Sequence, residues 1–395
     1  MSIFQRLLPF ALLLSLLAGC ATVDQPLASS PGSRPPPDMV RGPSSPPVWP
    51  AKPEERDTKA LVGKLLPASV KDKNGWANDL HAAFTHLNIP QVPETYCAAL
   101  AVIEQESTYQ VDPVVPNLPD IVWRELEQRG AKYGVPKLLI SAAMLKTSPD
   151  GRSYQKRIDT LKTEKQLNAL FNDMITELPF GQKMLTGANP VHTAGPMQVS
   201  IDFAEQQVQE RPYPYRLSGS VRDEVFTRRG GLYFGSAILL DYPAPYTEVV
   251  YRFADFNAGR YSSRNAAFQS ALSRLSGKAL VRDGDLLRYE NGQPSDKPSS
   301  VETTARRLSG VLKMNPAEIR RDLLLEKSPA FSISPLFIRV FAQAEKAGGE
   351  ALSRQVMPQI ELKSPKITRQ LTTEWFARRV EGRYRACLAR AETAI

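Results

Sequence analysis

Cysteine and histidine are scarce, with three of each in 395 residues. The histidines are His81, His86 and His192, and none pairs with another at metal-ligand spacing. A phosphate-binding loop is also absent. No metal and no cofactor are therefore expected. After the first 17 residues no long apolar run occurs, so nothing further along the chain is expected to span a membrane. Acidic excess is lacking too. The net charge is +9, and residues 271–395 hold 22 Lys+Arg against 14 Asp+Glu. A basic C-terminal third suits an anionic surface, and a solvated basic face without a partner is the plain alternative. The 42% hydrophobic and 23% charged composition is that of a chain able to bury a sizeable core.

The N-terminus supplies the compartment. Arg6 precedes an eleven-residue apolar stretch, Leu7 to Leu17, followed by Leu17-Ala18-Gly19-Cys20. The stretch is too short for a stable span and is laid out as a secretory signal. Small residues before a cysteine resemble the lipobox of bacterial lipoproteins. The resemblance implies cleavage before Cys20, a lipid on that cysteine, and a periplasmic protein anchored to the outer membrane, since residue 21 is Ala rather than Asp. Export argues against nucleic acid as the anionic partner. Ten of the 33 prolines fall between Pro26 and Pro53 among Ser and Gly, so residues 20–55 read as an extended tether. Cys97 and Cys387 remain. In an oxidising compartment two cysteines often pair. Cys387 continues the series Phe376, Val380, Tyr384 at helical spacing, so it is expected to face inward. A disulfide is one reading and two buried thiols the other.

The rest reads mainly as helix. Apolar periodicity predicts helices over 76–87, 94–106, 121–133, 137–145, 166–178 and 230–240. Further on, Asn291-Gly292 signals a hairpin. Ser299 with Glu302 predicts a capping box for a helix over 301–312. Asn315-Pro316 and Ser334-Pro335 start two more helices, and Gly348-Gly349 ends the second.

One glutamate stands out. At about 100° per residue, the apolar residues Val102, Ala99, Ile103 and Tyr96 fall on an arc from about 200° to 320° relative to Leu100, and Glu106 falls inside it at about 240°. Glu104, at about 40°, is expected on the solvated surface. A carboxyl on a buried face is desolvated, which favours its protonated form and suits a general acid near neutral pH. A carboxylate paired with a buried Arg satisfies the same pattern.

Four segments in order carry a family resemblance: Glu106-Ser107, Thr193-Ala194-Gly195-Pro196-Met197-Gln198, Arg229-Gly230-Gly231-Leu232-Tyr233-Phe234 and Asp255-Phe256-Asn257-Ala258-Gly259. Together they resemble the lysozyme-like lytic transglycosylases, which cut bacterial cell-wall glycan. The resemblance implies a mainly α fold of goose-type lysozyme kind over residues 56–279. It casts Glu106 as the catalytic acid, with Ser107, Gly195, Met197, Gln198, Tyr233, Phe256, Asn257 and Gly259 around the sugar. Met197 follows Glu106 by 91 positions, a longer gap than the family pattern, so a helical insertion is expected over about 115–185. Phe256 stands where the family has a tyrosine, and Tyr251 or Tyr246 is a candidate to replace its hydroxyl. Residues 280–395 read as a basic α+β appendage.

The implied reaction cleaves the bond from N-acetylmuramic acid to N-acetylglucosamine and leaves 1,6-anhydro ends. The implied partners are peptidoglycan strands and, through the lipid, a membrane. A hydrolase with a second acid, Asp202 being nearest in sequence, is one rival. A non-catalytic wall-binding lipoprotein on the same fold is another.

Overall fold

Local signals in the sequence set most of the helix ends. A computed structural model describes residues 58–177, 189–217, 219–290, 292–362 and 370–392, so Cys20 and the tether lie outside the described residues. First come α1 (Thr58–Leu65), α2 (Lys73–Leu87) and α3 (Pro93–Ser107). The Asp72 carboxylate caps α2 by accepting from the Gly75 N–H (3.1 Å), and Asn88 ends it in the left-handed conformation. Proline occupies the first position of α3. The expected insertion is helical: α4 (Leu118–Lys132), α5 (Lys137–Met144), α6 (Tyr154–Asp159) and α7 (Glu164–Glu177).

A two-stranded hairpin, β1 (Thr193–Ala194) with β2 (Val199–Ser200), precedes α8 (Ile201–Glu210), α9 (Val221–Val225) and α10 (Arg228–Leu240). Then come α11 (Val250–Ala258) and α12 (Ser262–Ser276), and a second hairpin of β3 (Tyr289–Glu290) and β4 (Gln293–Pro294). In that second hairpin Glu290 pairs with Gln293 and Gly292 takes φ 76°, while Asn291 of the predicted turn lies outside the described residues. The chain closes with α13 (Ser300–Arg307), α14 (Ser309–Leu312), α15 (Pro316–Leu323), a 3-10 turn (Pro329–Ile333), α16 (Pro335–Gly348), the pair β5 (Glu361–Leu362) and β6 (Leu371–Thr372), and α17 (Thr373–Glu392).

Asn315 and Glu318 form the expected reciprocal cap of α15. Ser299 caps α13 as expected, but the Glu302 carboxylate is taken by Arg306 (2.6 Å) and Arg320 (2.7 Å), and the predicted helix breaks between Arg307 and Ser309.

Two large apolar cores and a small tyrosine cluster form among the described residues, and the two large ones do not divide at residue 280. The first joins α1, α2, α3, the first hairpin, α10 and α11 with Phe376, Ala377, Val380 and Cys387 of α17. The second joins Ala267, Phe268, Ala271 and Leu272 of α12 with α13, α15 and α16. The expected appendage therefore lends its last helix to the main body. The reason is the apolar face of α17, which buries against α3 and α11. A disulfide between Cys97 and Cys387 ties α17 to α3. Many charges of the basic third are spent internally: Arg306 and Arg320 on Glu302, Arg354 on Glu345, and Arg385 on Glu381.

Candidate active site

Glu106 sits one residue from the end of α3, where the chain turns sharply. The Ser107 hydroxyl donates back to the Ile103 carbonyl (3.0 Å), and the next two residues, Thr108 and Tyr109, both take positive φ (51° and 60°). Tyr109 is fixed by a bond from its hydroxyl to the Leu100 carbonyl (3.2 Å) and by an edge contact to Trp76. Left-handed backbone is costly for non-glycine residues and gathers where the surrounding structure imposes a geometry. Helix α3 thus delivers Glu106 at a rigid corner, half-buried.

The second element is the turn of the first hairpin. Gly195 takes φ 74°, and a Cβ there would lie 2.2 Å from the Val225 carbonyl oxygen, so only glycine fits. Gln198 also takes positive φ (49°). Its N–H donates to the Gly195 carbonyl (3.1 Å), its Nε2 reaches the same oxygen (3.3 Å), and its Oε1 accepts from the Thr193 hydroxyl (3.1 Å). The turn seats on a glycine face of α10. A Cβ on Gly231 would meet Pro196 at 2.5 Å and one on Gly235 would meet the Met197 sulfur at 2.3 Å. The second and third sequence segments are thereby coupled, because the glycines of one make room for the turn of the other.

Glu106 and Gln198 line one cleft of about 570 Å³. The remaining lining among the described residues is 113–117, Asp120, Ile121, Arg124 and Glu164, all from the stretch between the end of α3 and the start of α7. Four of the non-glycine residues with positive φ, namely Thr108, Tyr109, Asn117 and Gln198, line this cleft or directly follow Glu106-Ser107.

Other expected site residues lie elsewhere. Met197 is fully buried against α10, a core side chain rather than a sugar platform. Ser107 is buried and engaged with its own helix. Tyr233 is buried in a ring cluster with Tyr213 and Phe234. Gly195 approaches backbone, not an open surface. Phe256 is half-buried against the first core. Asn257 accepts at Oδ1 from the Thr373 hydroxyl (2.8 Å), which pins α11 to the start of α17. Gly259 is exposed and ends α11 at φ 107°.

Neither Tyr246 nor Tyr251 lines the cleft. Tyr246 instead donates to the buried Asp255 carboxylate (2.5 Å), as does Tyr242 (3.1 Å). The N–H groups of Tyr261 (2.8 Å) and Ser263 (2.7 Å) complete that hub, which locks the turn from α11 to α12. Burial pushes the Asp255 carboxyl up despite its four donors. Asp202 is exposed on the first turn of α8, away from the cleft lining.

Glu104 differs from expectation. It is half-buried and pairs with Arg383 of α17 (3.7 Å). Helix α3 is buried on every side from Thr95 to Ile103, so it has no solvated face for a periodicity argument to find.

Asn117, Asp120, Arg124 and Glu164 were invisible to motif reading because they lie inside the insertion. Asp120 and Arg124 stand four apart on α4, the spacing of an ordinary helix ion pair. Neither forms an ion pair among the described residues, and both are exposed to the cleft.

A family model described as protein of unknown function (DUF1615) matches residues 69–390. An Escherichia coli (strain K12) protein, printed as uncharacterized protein YaiW, is 47% identical over 352 residues, covering 89% of this chain and 95% of that one. No solved structure matches the chain.

Proposed function

This chain belongs to the DUF1615 family, and we propose that it is a peptidoglycan lytic transglycosylase with Glu106 as its acid and base. The observation that carries the reading is the meeting of Glu106 and Gln198, from two segments far apart in sequence, in one cleft of about 570 Å³. A cleft of that size suits a sugar ligand. Hydrogen-bonding amides such as that of Gln198 suit sugar hydroxyl and N-acetyl groups.

In this mechanism Glu106 protonates the oxygen between N-acetylmuramic acid and N-acetylglucosamine. The substrate's own N-acetyl group assists at the sugar carbon, as in substrate-assisted glycosidases. Glu106 then takes the proton from the muramic acid 6-hydroxyl as that oxygen closes on the anomeric carbon. Gln198 positions the sugar. The fold that goes with the reading is lysozyme-like, with α4 to α7 as an insertion walling the cleft. The localisation that goes with it is periplasmic, with lipid on Cys20 holding the body at the outer membrane.

Digestion of purified cell wall with the protein tests the proposal: anhydro-ended fragments, each one water lighter than hydrolytic products, are expected. Release of reducing ends instead supports a hydrolysing muramidase. That second reading draws on Asp120 and Glu164, which bring further carboxylates to the cleft where Asp202 does not. Binding without cleavage supports a wall-binding protein.

A further inference from the structure

The cleft holds more charge than glycan cleavage by one glutamate requires. Among the described residues its lining includes the carboxylates Glu106, Asp120 and Glu164 and the guanidinium of Arg124. A glycan strand without peptides carries only carboxylates, on its lactyl groups, and Asp120 repels them. A strand that still bears its peptides is different. There the lactyl group is an amide, and a diamino dicarboxylic acid in the peptide carries, at its end outside the main chain, an ammonium beside a carboxylate.

Asp120 and Arg124 offer a matched pair for those two groups. As residues four apart on α4, their side chains are neighbours, about 5–6 Å apart at Cβ. Neither is spent on the other or on any other ion pair among the described residues, and both line the cleft that contains Glu106 and Gln198. The carboxylate of Asp120 would accept from the ammonium, and the guanidinium of Arg124 would take the carboxylate through paired N–H donors.

Resting on the glycan-cutting reading above, we propose that the α4 wall reads the zwitterionic end of a diamino acid in the stem peptide. The preferred substrate is then a peptide-bearing strand rather than naked glycan. The insertion thereby acquires a role as a specificity element.

The test compares kcat/KM on peptide-bearing strands with kcat/KM on strands stripped by an amidase. The wild-type chain is expected to favour the peptide-bearing strands by about tenfold or more. The double variant Asp120→Asn, Arg124→Gln is expected to bring that ratio near one, and acetylation of the peptide ammonium is expected to do the same with the wild type. A wild-type ratio of one or less overturns the proposal, as does a ratio that survives the double substitution or acetylation. Sedimentation of Glu106→Gln protein with peptide-bearing and stripped wall gives the same comparison as binding, with the same tenfold expected and equal binding contradicting it. If neither strand is cut but the binding preference holds, the transglycosylase reading fails and peptide recognition stands.

Discussion

Replacing Cys97 and Cys387 together by alanine should cost the fold several kcal/mol without displacing α17. The bond closes a loop of 290 positions, and the chain-entropy model gives about 5.7 kcal/mol for that length. Native disulfides usually deliver about 2–5 kcal/mol, because the reduced unfolded chain is more compact than the model assumes. With about 2.1 cal/mol/K of unfolding entropy per residue over the roughly 315 described residues, 3–5 kcal/mol corresponds to a fall in melting temperature of about 5–8 °C. Phe376, Ala377 and Val380 still bury α17 in the first core, so helix content should persist below the transition. Melting the wild-type protein with and without a thiol reductant isolates the loop term, since reduction leaves both sulfurs in place. Oxidised and reduced samples melting within 1 °C of each other would refute the reasoning. So would two titratable thiols in the non-reduced, denatured chain.

Two further perturbations follow from the packing. Glu224 is fully buried, and although burial pushes its carboxyl up, bonds from Arg229 (2.6 Å), Tyr213 (2.9 Å) and Thr227 outweigh that and hold it below its ordinary value of 4.5. A lowered carboxyl stabilises the fold above its unfolded pKa and loses that stabilisation as pH falls through the folded value. Glu224→Gln should therefore flatten the loss of stability on acidification below pH 4.5, and cost about 1–3 kcal/mol at neutral pH. The cost is moderated because Arg229 is 38% exposed and rehydrates. Denaturant midpoints across pH check both statements. Gly195→Ala, which drives a Cβ into the Val225 carbonyl, should cost about 3 kcal/mol or more, whereas Gly259→Ala, whose nearest neighbour is Ser262 Oγ at 3.7 Å, should cost only about 1–3 kcal/mol of backbone strain. Equal melting temperatures for the two variants would contradict the packing of the hairpin on the end of α9.

Much of the fold was readable from local chemistry. Asn315-Pro316 and Ser334-Pro335 start helices where expected because a capping side chain and a fixed φ act within a few residues. The Asn-Gly turn sets its own register for the same reason. What escaped is set by long-range packing. Helix α17 returns to the first core, as the inward series Phe376, Val380 and Cys387 and the disulfide reading indicate, so residues 280–395 do not stand apart as an appendage. Glu104 is covered by that same helix through Arg383, so an all-round buried α3 defeats any argument from one face. The resemblance implies Met197 beside the sugar, whereas Gly235, distant in sequence, leaves the space that makes it a core residue. Glu302 left its cap for two arginines brought in by α13 and α15. At the site, the resemblance carried by Glu106-Ser107 and Met197-Gln198 marked two points of the cleft. The residues facing them came from an insertion with no motif to mark it.

The central claim is that Glu106 moves the proton that breaks the glycan. Purified cell wall digested by the wild-type chain and by Glu106→Gln, with soluble fragments weighed by mass spectrometry, tests it most directly. The account predicts anhydro-ended fragments from the wild type and a drop of about 10²-fold or more with the variant, at unchanged melting temperature and wall binding. Undiminished release of fragments by Glu106→Gln would contradict it.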